Sequence, residues 1–217
     1  MKRKRLWIYP VAGIVFLGHF TFCLCRCIYL GVPEQVLWVS HIATLTGGIG
    51  AFLRNRFLIS LALVTCLGHH LFWLFDIASW LITGNFAVGV TAYLQNASLG
   101  AWIQTSNHFF VPPMLLILLI HQGTINKHIW IWASVLFVSL ITAGLIFFSP
   151  ASNVNCAYYP WPGLQRLVFM LPGLAPFSPR LYLFYVIVLT TFGNYLPVTL
   201  ILTYAVPKCS SALKHLL

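Results

Sequence analysis

Six long apolar runs, separated by short polar or basic breaks, set the pattern of this chain. They cover about residues 6–25, 33–53, 57–83, 105–122, 129–148 and 181–206. Each is close to or above the length an α-helix needs to cross a hydrocarbon core, roughly 17–25 residues. The breaks are chemically distinct. Gly31 to Glu34 reads as a turn with Pro33 suited to the first helical position. Arg54-Asn55-Arg56 closes one run and opens the next, and Thr124 to His128 is a short basic turn. Two longer connections remain, at 84–104 and 149–180. The first carries no charge, and its Tyr93 and Trp102 suit a membrane interface, as does a short helix lying flat there. The second is rich in turn formers, with an interfacial helical turn expected over 164–171.

Composition gives the runs their solvent. Of 217 residues, 60% are hydrophobic and only 6% charged, against about 25% charged in a soluble domain. Such a chain cannot build a water-facing surface, so the pattern predicts an all-α, polytopic transmembrane bundle of six spans. It forms a single integral membrane domain over 1–217. The basic start Met1 to Arg5 precedes the first run. No small-x-small cleavage site follows it, so an uncleaved span is expected rather than a signal peptide.

The net charge of +10 would suggest nucleic acid in a soluble protein. Here the basic residues sit at the ends of apolar runs, so anionic lipid headgroups are the expected partners and nucleic acid is not. Lys2, Arg3, Lys4, Arg5, Arg54, Arg56, Lys127, Lys208 and Lys214 fall on one side, nine in all, and Arg26, Arg166 and Arg180 on the other, three in all. That bias predicts both termini inside, in a bacterial inner membrane or its equivalent.

Candidate chemistry concentrates in the third run, at Leu67 to Trp80. His69, His70 and Asp76 lie there, and Asp76 is one of only two acidic residues in the chain. A carboxylate within a span is expensive and commonly has a partner or a task. His69, Trp73 and Asp76 are separated by four and three residues and so share a face, with His70 expected to point elsewhere. By helical rise, His41 lies roughly 12 Å below the outer end of its run, Asp76 roughly 10 Å and His108 roughly 5 Å. The functional expectation is an outward-opening site in which Asp76 orients or pairs a histidine and His41, His69 and His108 supply bases or metal ligands. Trp73, Asn107, Asn153, Asn155 and Asn194 would then line a substrate. The structural alternative is that these groups only tie helices together, at about 0.6 kcal/mol per bond.

No HxxxH, HExxH or CxxC spacing marks a metal site, no GxSxG marks a serine hydrolase, and the glycines at 47–50 lack a phosphate-loop lysine. No cofactor is assigned. Cys23, Cys25 and Cys27 fall at the outer end of the first run and Cys156 in an outer loop. An oxidising compartment would pair Cys156 with Cys25 or Cys27.

Several strings together resemble an uncharacterised family of bacterial polytopic "membrane-associated proteins": LWVSHIATLTGGIGAFLRNRFLISL, LGHHLFWLFDIASW, SNHFFVPPMLLILL and NVNCAYY. The family pattern joins a W-x-x-D-like string, an S-x-x-H-x-x-x-P-like helix and an N-x-N loop. Trp73 to Asp76, His108 with Pro112, and Asn153 with Asn155 match it; His41 departs, standing where an acidic residue is expected. A looser similarity, in helix count, orientation and a membrane histidine, is to six-helix androgen-induced-type membrane lipid hydrolases, and implies a lipid or acyl substrate. Three functions remain open: a membrane enzyme on such a substrate with His108 as base, a small proton-coupled permease, or an assembly subunit of a membrane complex.

Overall fold

The structure is a computed structural model that describes residues 7–160 and 179–215. The described residues are all-helical, with no strand. In chain order the helices are α1 (Ile8–Tyr29), α2 (Val39–Phe52), α3 (Arg56–Thr83), α4 (Leu99–Thr105), α5 (Asn107–Gln122), α6 (Ile129–Phe147), α7 (Pro179–Val188) and α8 (Leu196–His215). A 3-10 turn, Pro33–Leu37, precedes α2, and a π-helical segment, Leu189–Tyr195, joins α7 to α8. Among the described residues five helical stretches, with Leu99–Gln122 and Leu181–Leu213 each taken as one, are long and apolar enough to cross a membrane, which marks an integral membrane protein. The expected turn at 164–171, the basic residues at 2–5 and Arg166 lie outside the described residues.

Two expected boundaries move. The fourth run is α5, within two residues of its expected start, and the short helix expected in the 84–104 connection is α4, whose first turn is capped by the Ser98 hydroxyl accepting from the Ala101 N–H (3.4 Å). The second run is not one helix: Trp38 is extended (ψ 136°) between the 3-10 turn and α2. The last run does not end at 206 but stays helical past Pro207 to His215, absorbing most of the expected tail. Pro112 and Pro113 lie inside α5, so the carbonyls of His108 and Phe109 lose their usual helical donors.

α3 is the central helix, packed against α2, α5 and α6. The small residues of α2 permit its close approach on three sides. A Cβ at Gly47 would lie 2.9 Å from Leu115 of α5, one at Gly48 2.7 Å from Leu17 of α1, and one at Gly50 2.8 Å from Leu58 of α3. Phe16, Ile59, Leu63, Leu115, Leu119 and Ile141 fill the resulting core. Ile82 of α3, Phe147 of α6, and Leu200 and Ile201 of α8 face outward. Lipid can solvate such apolar surface and water cannot.

Candidate functional site

A cavity of about 750 Å³ opens between α1, α2, α3, α5 and α7, roofed by the loops after α3 and α6. Its wall is largely apolar and aromatic, with polar groups supplied by Arg26, His41, His69, Tyr93, Gln104 and His108.

His108 stands one residue into α5. Its Nδ1 lies 2.8 Å from the Thr105 carbonyl. A carbonyl only accepts, so Nδ1 carries the proton and Nε2 is left as the basic nitrogen. Two α3 rings pack against it. The Trp73 indole stacks on it at 4.4 Å between centroids and 18° between planes, and the His70 ring lies tilted by 39° at 4.3 Å. His70 is therefore no bystander, contrary to the expectation from its position on α3. Residues 70 and 73 are one helical turn apart and both reach α5, while His69 turns toward α6 and the π segment. There His69 Nε2 meets the Tyr195 hydroxyl at 3.3 Å and its ring stacks over Phe137. His70 is fully buried, and neither of its ring nitrogens has a partner among the described residues.

Asp76 does not orient a histidine. Its Oδ1 accepts from the N–H groups of Val88 (2.7 Å) and Gly89 (3.0 Å), and its Oδ2 from the N–H (2.8 Å) and hydroxyl (2.8 Å) of Thr91. Four donors saturate a carboxylate. The charge-assisted bonds offset its desolvation and fold the 86–94 loop down onto α3. The loop in turn brings Val90 and Tyr93 to the cavity wall. Trp73 Nε1 donates to the Tyr93 hydroxyl at 3.3 Å. Desolvation pushes the Tyr93 phenol up to about 12, so it stays protonated.

The expected substrate-binding asparagines are mostly builders. Asn155 accepts from the Val39 N–H (2.7 Å) and donates to the Leu37 carbonyl (2.8 Å), so the amide stitches the 149–160 loop to the start of α2. Asn153 accepts from the N–H groups of Tyr158 and Tyr159 and donates back to the Tyr159 carbonyl. Both adopt left-handed backbone, φ 36° and 55°, which asparagine tolerates better than most residues. They line the cavity, but their amides are committed to backbone. Asn107 is buried against α2 and donates to the Thr44 hydroxyl (3.4 Å), away from the cavity. Asn194 packs over Gly68, also off the cavity. No disulfide joins Cys156 to Cys25 or Cys27; Cys25 projects outward from α1, and Cys27 faces the cavity, 3.5 Å from Gln104 Nε2.

No protein-family model, curated protein or solved structure matches this chain.

Two residues at the centre of the polar wall were not singled out from sequence. Arg26 Nη1 donates to Gln104 Oε1 at 2.7 Å, and Nη2 to the Ser98 hydroxyl at 3.5 Å. With its oxygen toward Arg26, the Gln104 amide directs its NH₂ at His41 Nε2 (3.4 Å). His41 then carries its proton on Nδ1, which finds no acceptor among the described residues. The available signals were a lone arginine near the end of an otherwise apolar run and a glutamine where the loop was expected to end. Neither signal named a partner.

Proposed function

We propose that this chain is a six-span, bacterial inner-membrane protein with both termini inside, acting as an enzyme on a lipid or other acyl substrate with His108 as general base. α2 alone rises ~21 Å, short of a ~30 Å hydrocarbon core; with Pro33–Leu37 it serves as the second span. The nine-to-three distribution of basic residues supports the orientation.

The observation that carries the enzymatic reading is the His108 imidazole. Its tautomer is set by Thr105, its plane is set by Trp73, and it lies on the wall of a cavity large enough for a lipid headgroup and part of a chain. In this chemistry Nε2 takes the proton from a hydroxyl or water as that oxygen attacks the acyl carbonyl. The ester C–O bond then breaks, and the leaving oxygen receives the proton from the imidazolium. Asp76 contributes by holding the loop that carries Tyr93.

The test compares lipid extracts, by mass spectrometry, from membranes holding equal amounts of wild type and His108→Ala. An acyl-lipid product present with wild type and missing with the variant is the expected result; identical profiles would overturn the reading. A proton-coupled permease is the second reading, favoured by irregular helix bonding near the cavity: Pro112 and Pro113 remove two backbone donors from α5, and the π segment after α7 lines the cavity at Leu189 and Thr190. It predicts pH-dependent uptake lost with His108→Ala and no new lipid.

A further inference from the structure

Arg26 is a cation on a mainly apolar cavity wall, and its hydrogen-bond partners, Gln104 and Ser98, are neutral. The chain offers it almost nothing else. Only two carboxylates exist in the whole sequence. Asp76 is saturated by the 86–94 loop, and Glu34 Oε1 is taken by the Ser152 hydroxyl at 2.9 Å. The polarity of the neighbouring groups runs the same way. Gln104 turns its oxygen to Arg26, which leaves its NH₂ toward His41, and the remaining His41 Nδ1–H has no acceptor among the described residues. The corner therefore carries a positive charge whose direct partners are neutral and which pairs with no carboxylate among the described residues; Glu34 sits nearby, held by the cavity-lining Ser152. Arg26 is half-buried with only neutral partners, so a carboxylate or phosphate arriving there gains a charge-assisted, fork-shaped contact. Away from the corner the wall turns apolar, through Phe72, Val90, Phe137, Val186 and Leu189.

We infer that the cavity selects an anionic amphiphile, its phosphate or carboxylate held by Arg26 and its acyl chain laid along the Phe72–Phe137–Leu189 wall. The inference deepens the lipid-substrate reading and rests on it for the claim that the occupant is turned over. The headgroup contact itself is independent of His108.

Native mass spectrometry of the full chain in neutral-detergent micelles tests it with three probes: dioleoyl phosphatidic acid, dioleoylglycerol, and inorganic phosphate as competitor. Wild type should retain phosphatidic acid about tenfold or more over dioleoylglycerol, and millimolar phosphate should not displace it. Arg26→Gln should bring the two lipids to the same level, with Arg26→Lys intermediate. An Arg54→Gln/Arg56→Gln variant, altered away from the cavity, should bind as wild type does. Retention of phosphatidic acid by Arg26→Gln at the wild-type level, equal binding of both lipids to wild type, or loss of binding only in the Arg54/Arg56 variant would overturn the assignment. Displacement by phosphate alone would remove its acyl half and leave a free-phosphate site. If Arg26→Gln fails to accumulate, the wild-type lipid comparison and Arg26→Lys still decide. His108→Ala should keep Arg26-dependent binding whether or not turnover exists, so failure of the catalytic reading and failure of this one are told apart.

Discussion

Thr91 gives Asp76 two of its four hydrogen bonds, one from the backbone N–H and one from the hydroxyl, both at 2.8 Å to the same carboxylate oxygen. The carboxylate of α3 is thus a clamp on the loop that follows it. Replacing Asp76 by Ala strands the N–H groups of Val88, Gly89 and Thr91, at ~1–3 kcal/mol for each buried donor left unpaired. The expected outcome is a large drop in thermal stability in detergent and new proteolysis within residues 85–98. Thr91→Val, which removes only the hydroxyl, should cost about 1 kcal/mol and leave the loop protected.

Trp73 positions His108 without supplying a reacting atom. On the proposed enzymatic reading, Trp73→Ala should therefore lower turnover by about 10²-fold through loss of ring alignment, while His108 remains present and phosphatidic acid binding persists. Trp73→Phe keeps a stacking face and should recover most of the rate, which steady-state kinetics on the two variants would show.

Asn155 joins two segments far apart in sequence, and both halves of its amide are used. Asn155→Ala leaves the Val39 N–H and the Leu37 carbonyl without partners and should cost ~2 kcal/mol. Asn155→Asp keeps the acceptor but loses the donor to Leu37, and should fall between the two in a thermal-melt series.

A methyl group at Gly68 would fall on the side-chain amide of Asn194, which would have to move. Gly68→Ala should destabilise by about 1–3 kcal/mol through overpacking against the π segment. Asn194→Ala should be mild alone and should rescue Gly68→Ala. Non-additivity in this double-mutant cycle is the measurement; additive effects would separate the two side chains.

Cys25 is an exposed thiol on α1. It should react with a membrane-impermeant maleimide without prior reduction, at the same rate in wild type and Cys156→Ser. Protection that needs a reductant to lift would restore the expected disulfide.

Sequence by itself determined the class of this molecule, because the hydrophobic content of a 20-residue window is a local property and bilayer insertion reads it locally. It also marked Trp73, Asp76, His108, Asn153 and Asn155 as unusual residues for their settings. It could not say what each one meets. Helical periodicity gives a residue's angle about its own axis; it does not give the rotation of that axis against a neighbour. His70 and His69 differ by one position, yet one stacks on His108 of α5 and the other meets Tyr195 of the π segment. The partners of Asp76 are backbone amides 12–15 residues away in a loop without charge, and backbone donors leave no trace in a list of side chains. Arg26 meets Gln104 across 78 residues. Such pairings exist only once packing has fixed helix rotation and loop path together, so tertiary structure alone decided which polar residues form the site and which build its walls.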